Sequence, residues 1–182
     1  MAEDTENTAA TQATGEGAGA QTPQFGIAGQ YVRDLSFENP NAPASLVAGQ
    51  TNPGSNVNIN VQVKKQADDL YAVEIGLNVK TERDNSVLYA VELVYGGLFR
   101  TKNIPENQLG ALLMVEAPRL IFPFARQVLA QTIQSGGFAP LMLEPVDFLA
   151  LYRRNLAAAA EKAKQDGGTA ADAEQDAKPT VN

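Results

Sequence analysis

The run "LYAVEIGLNVKT" (70–81) is followed, after only "ERDN", by "VLYAVELVYGGLFR" (87–100). Apolar residues recur at every second position in both. Tyr71, Val73, Ile75, Leu77 and Val79 line the first, and Val87, Tyr89, Val91, Leu93 and Tyr95 the second. That period belongs to strands, and so short a connection permits only an antiparallel pair. Upstream, "VNINVQV" alternates strictly, with Val57, Ile59, Val61 and Val63 against Asn58, Asn60 and Gln62, and "KKQADD" turns it into the next run. Three strands therefore form a meander. "QYVRDLSFENPNAP" also alternates, Tyr31, Arg33, Leu35 and Phe37 opposing Val32, Asp34, Ser36 and Glu38, until prolines stop it. This first strand is expected at a sheet edge, giving four.

After Gly96-Gly97 the period changes. "NIPENQLGALLMVEAP" opens a helix near Pro105, which Pro118 should end or kink. A second helix carries Leu120, Ile121, Phe124, Val128 and Leu129 up to Gly136-Gly137. "FAPLMLEP" is an extended crossover, and a last helix begins near Pro145 and Asp147 with Phe148, Leu151, Tyr152, Leu156 and Ala159 as its stripe. Strands followed by helices predict an α+β domain, a four-stranded antiparallel sheet with helices packed on one face. The odd-numbered face, Tyr31 through Tyr95, is the expected seat of the helices. The even-numbered face mixes Asp34, Glu38, Glu74 and Glu92 with Val32, Leu88, Ala90 and Val94, and suits a basic, partly apolar partner.

Composition narrows the chemistry. The 182 residues include no cysteine and no histidine, which removes the thiolate nucleophile, the usual neutral-pH base and the commonest metal ligands. Gly96-Gly97 lacks the spacing of a phosphate loop and is expected to be a bulge or bend at a strand end. No enzymatic site emerges. The greasiest helical region is interrupted by Glu116, Pro118, Arg119 and Pro123, so no membrane span is expected. The N-terminus carries acids where a signal peptide has bases, which points to the cytoplasm. Of the net charge of -7, residues 1–24 contribute -4 and residues 166–182 contribute -3, leaving the centre neutral. The expected organisation is a disordered acidic tail at 1–25, a folded domain at 26–160 and a second acidic tail at 161–182. Tails of this sign argue against nucleic acid as a partner.

"YVRDLSFENPNAP", "YAVELVYGGLF" and "APRLIFPFARQVLAQTIQSGGFAPLMLEPVDFLALY" resemble, in the same order, the bacterial SecB family of protein-export chaperones. The resemblance covers roughly Gln30 to Tyr152; the tails and the loop Ala44–Asn56 match only loosely. It implies an ATP-independent holdase without metal or other cofactor, a homotetramer built as a dimer of dimers. Such a protein holds unfolded precursors in the cytoplasm and passes them to the SecA motor. The family's motor-docking positions fall on Asp34, Glu38, Ala90 and Glu92, where SecA's zinc-bearing C-terminal segment would dock. The resemblance places client contacts at Phe138, Leu141, Leu143, Phe148 and Tyr152, with Phe37 and Phe122 beside them, and assembly positions at Val91, Leu93 and Tyr95. The tryptophan common in the loop after "NAP" is missing, since the chain has none. The alternatives are a general or toxin–antitoxin-associated holdase of the same kind, and an oligomeric scaffold for one folded partner.

Overall fold

The computed structural model describes residues 22–47 and 52–168, the last seven of these in backbone only. Most of both expected tails, and part of the loosely matching loop, lie outside the described residues. Four strands, β1 (Gln24–Glu38), β2 (Gly54–Ala67), β3 (Leu70–Arg83) and β4 (Ser86–Lys102), form one antiparallel sheet in the order β1-β4-β3-β2. The expected meander is present, and β1 does occupy an edge. The β3–β4 turn is tighter than "ERDN" suggested: only Asp84 and Asn85 lie outside the strands, both at positive φ, 51° and 61°. This is the two-residue turn whose twist matches a hairpin, and Asn and Asp tolerate it best after glycine. β1 takes in Gln24 and Phe25, and Phe25 stacks on the fully buried Phe99 at 5.3 Å.

One face of the sheet is the core. Val73, Ile75 and Leu77 of β3 and Val91, Leu93 and Phe99 of β4 are almost completely buried there. β1 does not keep a single face, because its pairing with β4 slips between Ile27 and Gly29 and again between Val32 and Asp34. A slip of one residue exchanges the two faces. Leu35 and Phe37 thus point to the helices, opposite Leu93 and Val91, while Tyr31 lies opposite Gly96 on the other side. Val32 pairs with Tyr95 on the helix side, contrary to its expected place among the even-numbered residues. Leu88 is a second correction. The β3–β4 register skips it, and it is buried in the core.

Gly96-Gly97 forms no bend. Both residues are paired on both sides within β4, which continues to Lys102. Their role is clearance. A Cβ on Gly96 would lie 2.4 Å from the Tyr31 ring on the outer face, and one on Gly97 would lie 2.7 Å from Phe99 and 2.9 Å from Ile121 on the core face.

The helices differ from expectation at Pro118. α1 (Glu106–Ala111), a π turn (Leu112–Glu116) and α2 (Ala117–Ser135) run on without a break. In the π turn the Ala117 N–H reaches back five residues to the Leu112 carbonyl. The wider turn comes immediately before Pro118, where a proline ring would otherwise press on the preceding turn. The resulting helix of 30 residues is, by length and composition, long and apolar enough to cross a bilayer, against the sequence expectation. Ile121, Ala125, Leu129 and Ile133 nevertheless lie completely buried within the domain's core, which is the other setting for such a helix.

α3 (Phe148–Gly168) begins at a capped end, where Asp147 Oδ1 accepts the Ala150 N–H at 3.0 Å. Its first residue is buried, Leu151 and Tyr152 are half-buried, and Leu156 is 52% exposed. Only the first turns of α3 are anchored. Leu113 and Val115 of the π turn are buried in the domain, with Leu112 and Met114 half-covered.

Candidate docking face and client-binding surface

Paired residues of neighbouring strands share a face, so the register builds the outer surface row by row. One row runs Ser36, Glu92, Asn78, Asn58 across β1, β4, β3 and β2. The row on one side is Glu38, Ala90, Lys80, Asn56, and the row on the other is Asp34, Val94, Gly76, Asn60. The expected docking residues Asp34, Glu38, Ala90 and Glu92 therefore fall in three successive rows at the β1–β4 edge, about 7 Å from row to row. The three carboxylates are exposed, and none has a hydrogen bond or ion pair among the described residues. Lys80 could neutralise Glu38 from the same row, but its ammonium lies 2.7 Å from Glu82.

Glu74 behaves differently from these acids. It occupies the next row, Tyr31, Gly96, Glu74, Gln62, and is only 5% exposed. Tyr31 covers the gap left by Gly96 and donates its hydroxyl to Glu74 Oε1 at 3.2 Å. Arg33, at the β1 slip, donates to Oε2 at 2.5 Å, and the Lys64 ammonium lies 3.7 Å from the same oxygen. Burial, and then the charge of Glu74, push the Tyr31 hydroxyl above its ordinary pKa, so it remains a neutral donor. Glu74 thus belongs to a closed network and not to the free acidic surface that the sequence suggested. The clue to a partner was present in the lone glutamate of "YAVEIG", but its partners come from β1 and β2, and only the register brings them close.

The expected client residues divide into two places. Phe37, Phe138 and Tyr89 form one aromatic cluster, with Phe138 4.8 Å from Tyr89 and 6.4 Å from Phe37. Gly136 permits it, since a Cβ there would lie 2.1 Å from the Phe37 ring. Tyr89, which the alternation offered only as a strand residue, joins the two phenylalanines. Phe122 and Phe148 meet edge to face at 5.7 Å and are buried, at 5% and 1% exposure. Both border a recess of about 300 Å³ together with Pro123, Arg126, Pro145 and Val146. They are core residues in this chain, able to offer a client no more than the edge of a ring. Leu141, Leu143 and Tyr152 are half-buried, and Arg126 ties the crossover to α2 by donating to the Leu143 carbonyl at 3.1 Å.

The assembly positions Val91, Leu93 and Tyr95 lie beneath the helices at 1%, 1% and 8% exposure. Their side chains belong to this chain's own core. Among the described residues there is no cluster of three or more side chains suited to holding a metal.

Residues 18–159 match the model of the family described as "Preprotein translocase subunit SecB". The chain belongs to the SecB family. A protein-export protein SecB of Rhodopseudomonas palustris strain TIE-1 is 49% identical over 145 residues, 80% of this chain and 90% of that protein. The SecB of Bartonella bacilliformis is 46% identical over 138 residues, 76% of this chain and 87% of that protein. Among solved structures, the Mycobacterium tuberculosis SecB-like chaperone in complex with an antitoxin peptide superposes with a TM-score of 0.56 at 13% identity, covering 67% of this chain and 90% of that one. That likeness bears on the fold alone, and the fold agrees. SecB proteins are chaperones of protein export, not enzymes, and this chain has that chaperone role through its membership.

Proposed function

We propose that the chain is an ATP-independent holdase. It binds unfolded precursors in the cytoplasm as a dimer of dimers and delivers them to SecA. The SecA C-terminal zinc-bearing segment docks on Asp34, Glu38, Ala90 and Glu92. The observation that carries this reading is the set of three exposed, unpaired carboxylates in successive rows around a small apolar residue. A basic segment with a short apolar contact complements that surface in charge and shape. Clients contribute about 25 cal/mol for each Å² of apolar surface they hide along Phe37, Phe138, Leu141, Leu143 and Tyr152. Each contact is weak, and several subunits acting on one long chain raise the affinity through effective concentration.

Replacing Asp34, Glu38 and Glu92 together by alanine is expected to weaken SecA binding by roughly 30- to 100-fold at low salt, at about 0.7–0.9 kcal/mol for each charge. Affinity for an unfolded precursor should change less than about twofold, since the client residues lie elsewhere. Titration calorimetry of both partners checks this, and parallel loss of both activities would refute the separation. The antitoxin peptide carried by the Mycobacterium tuberculosis chaperone favours a second reading, a holdase serving a toxin–antitoxin pair or general proteostasis. Capture of SecA by the full chain from an extract, abolished by the triple substitution, decides for export through this face; an extract from which the chain takes unfolded proteins but no SecA decides against export. A scaffold for one folded partner would ignore a panel of unrelated unfolded proteins.

A further inference from the structure

The outer face carries a recess of about 180 Å³ whose lining includes Asp34, Glu74, Glu92 and Arg33, with Asn60 and Gly76 beside them. Arg33 is the only cation among its lining residues, and it adjoins Asp34 in the chain. An exposed arginine in that position would ordinarily pair with the nearest free carboxylate and cancel its charge. Here Glu74 prevents that. Arg33 spans from β1 over β4 to Glu74 on β3, held at 2.5 Å, with its side chain still 44% exposed. Glu74 is 5% exposed and out of a partner's reach, so its charge is spent within the network.

We propose that Glu74 is a positioning residue for the acidic face: by capturing Arg33 it keeps that cation away from Asp34 and Glu92, so the docking carboxylates meet a basic partner unneutralised. The proposal rests on the docking reading given above. Two features of the fold make the capture possible. The β1 slip between Val32 and Asp34 leaves Arg33 as the extra residue, free of the pairing that fixes its neighbours. Gly96 opens the space that Tyr31 fills, and Tyr31 in turn holds the other oxygen of Glu74. Without Glu74, the guanidinium borders a recess whose remaining acids are Asp34 and Glu92.

The test measures binding of the zinc-loaded C-terminal segment of SecA to the full chain at low and high salt. Glu74→Val is expected to weaken docking about five- to tenfold at low ionic strength, with the difference shrinking as salt screens the exposed charges. Adding Arg33→Gln to Glu74→Val should restore affinity to within about twofold of the parent, because the freed cation is then gone. A purely structural defect would not be rescued by removing a second partner of the same network. Glu74→Gln keeps the shape of the site and serves should the valine variant fold poorly; about a threefold loss, rescued in the same way, is expected. Affinity for an unfolded precursor should stay constant throughout. Docking unchanged in the Glu74 variants, or a double variant as weak as the single one, overturns the proposal. The Asp34, Glu38, Glu92 triple variant runs beside them. If it loses docking while Glu74→Val does not, only the role of Glu74 falls; if it docks normally, the docking reading falls and this proposal with it.

Discussion

Replacing Phe148 by alanine is expected to destabilise the fold by about 3–5 kcal/mol, the range for a large aromatic removed from a closed core. The ring is 1% exposed, meets Phe122 edge to face at 5.7 Å, and is the first residue of α3. The rest of that helix is held more lightly: Asp147 caps it, Leu149, Leu151 and Tyr152 are only partly buried against the core, and beyond Tyr152 the residues with described side chains are exposed. Loss of the ring should therefore lower the urea midpoint and open α3 to proteolysis before the sheet yields. The half-buried Phe138 provides the contrast. Phe138→Ala should cost less stability and more client affinity, because its ring stands at a partly open cluster. Phe148→Ala with a parental urea midpoint and reduced client binding would reverse these roles.

Gly97→Val is the second large effect, expected to cost about 1–3 kcal/mol or more through overpacking. The new Cβ would begin 2.7 Å from Phe99 and 2.9 Å from Ile121, and both of those side chains have no exposed surface. β4 is held on both sides by pairing with β1 and β3, and α2 packs against it, so neither can recede freely. Gly76→Ala tests the reasoning from the other direction. Its Cβ would lie 2.1 Å from Asn60 Oδ1, a closer approach, yet Asn60 is an exposed side chain able to rotate away. That variant should stay within about 0.5 kcal/mol of the parent in stability, as surface substitutions usually do. Chemical denaturation of the two variants distinguishes a collision with the core from a collision with a mobile amide.

The meander was legible because alternation is a property of one strand at a time, and β3 holds it from Leu70 to Thr81 with no slip in its pairing to β4. β1 was misread beyond Leu35 and Phe37 because a slip belongs to two strands at once. Nothing in "YVRDLS" alone says that Arg33 is extra and that Tyr31 and Leu35 face opposite ways. Leu88 was misplaced for the same reason. Pro118 was expected to end or kink its helix; the helix does not end there, and a π turn beside the proline absorbs the disturbance. The carboxylates proposed for docking, Asp34, Glu38 and Glu92, were singled out by resemblance, and the register places them in neighbouring rows. The buried network around Glu74 could not be inferred, since its members come from Tyr31, Arg33, Lys64 and Glu74 on three strands. Phe122 and Phe148, which the resemblance placed among the client contacts, are buried in this fold, and burial of that kind depends on what crosses above a ring.

The outer rows also differ from one end to the other. The three rows that hold the exposed carboxylates begin with an acid or serine on β1 and finish with asparagine on β2, a lateral distance of about 14 Å over three strand spacings. The sheet therefore has an anionic margin and an amide margin, and a cationic peptide lying across it meets a sideways electric gradient. That gradient gives the approaching peptide a direction before any contact is made, and raising the ionic strength should blur orientation earlier than it abolishes adhesion.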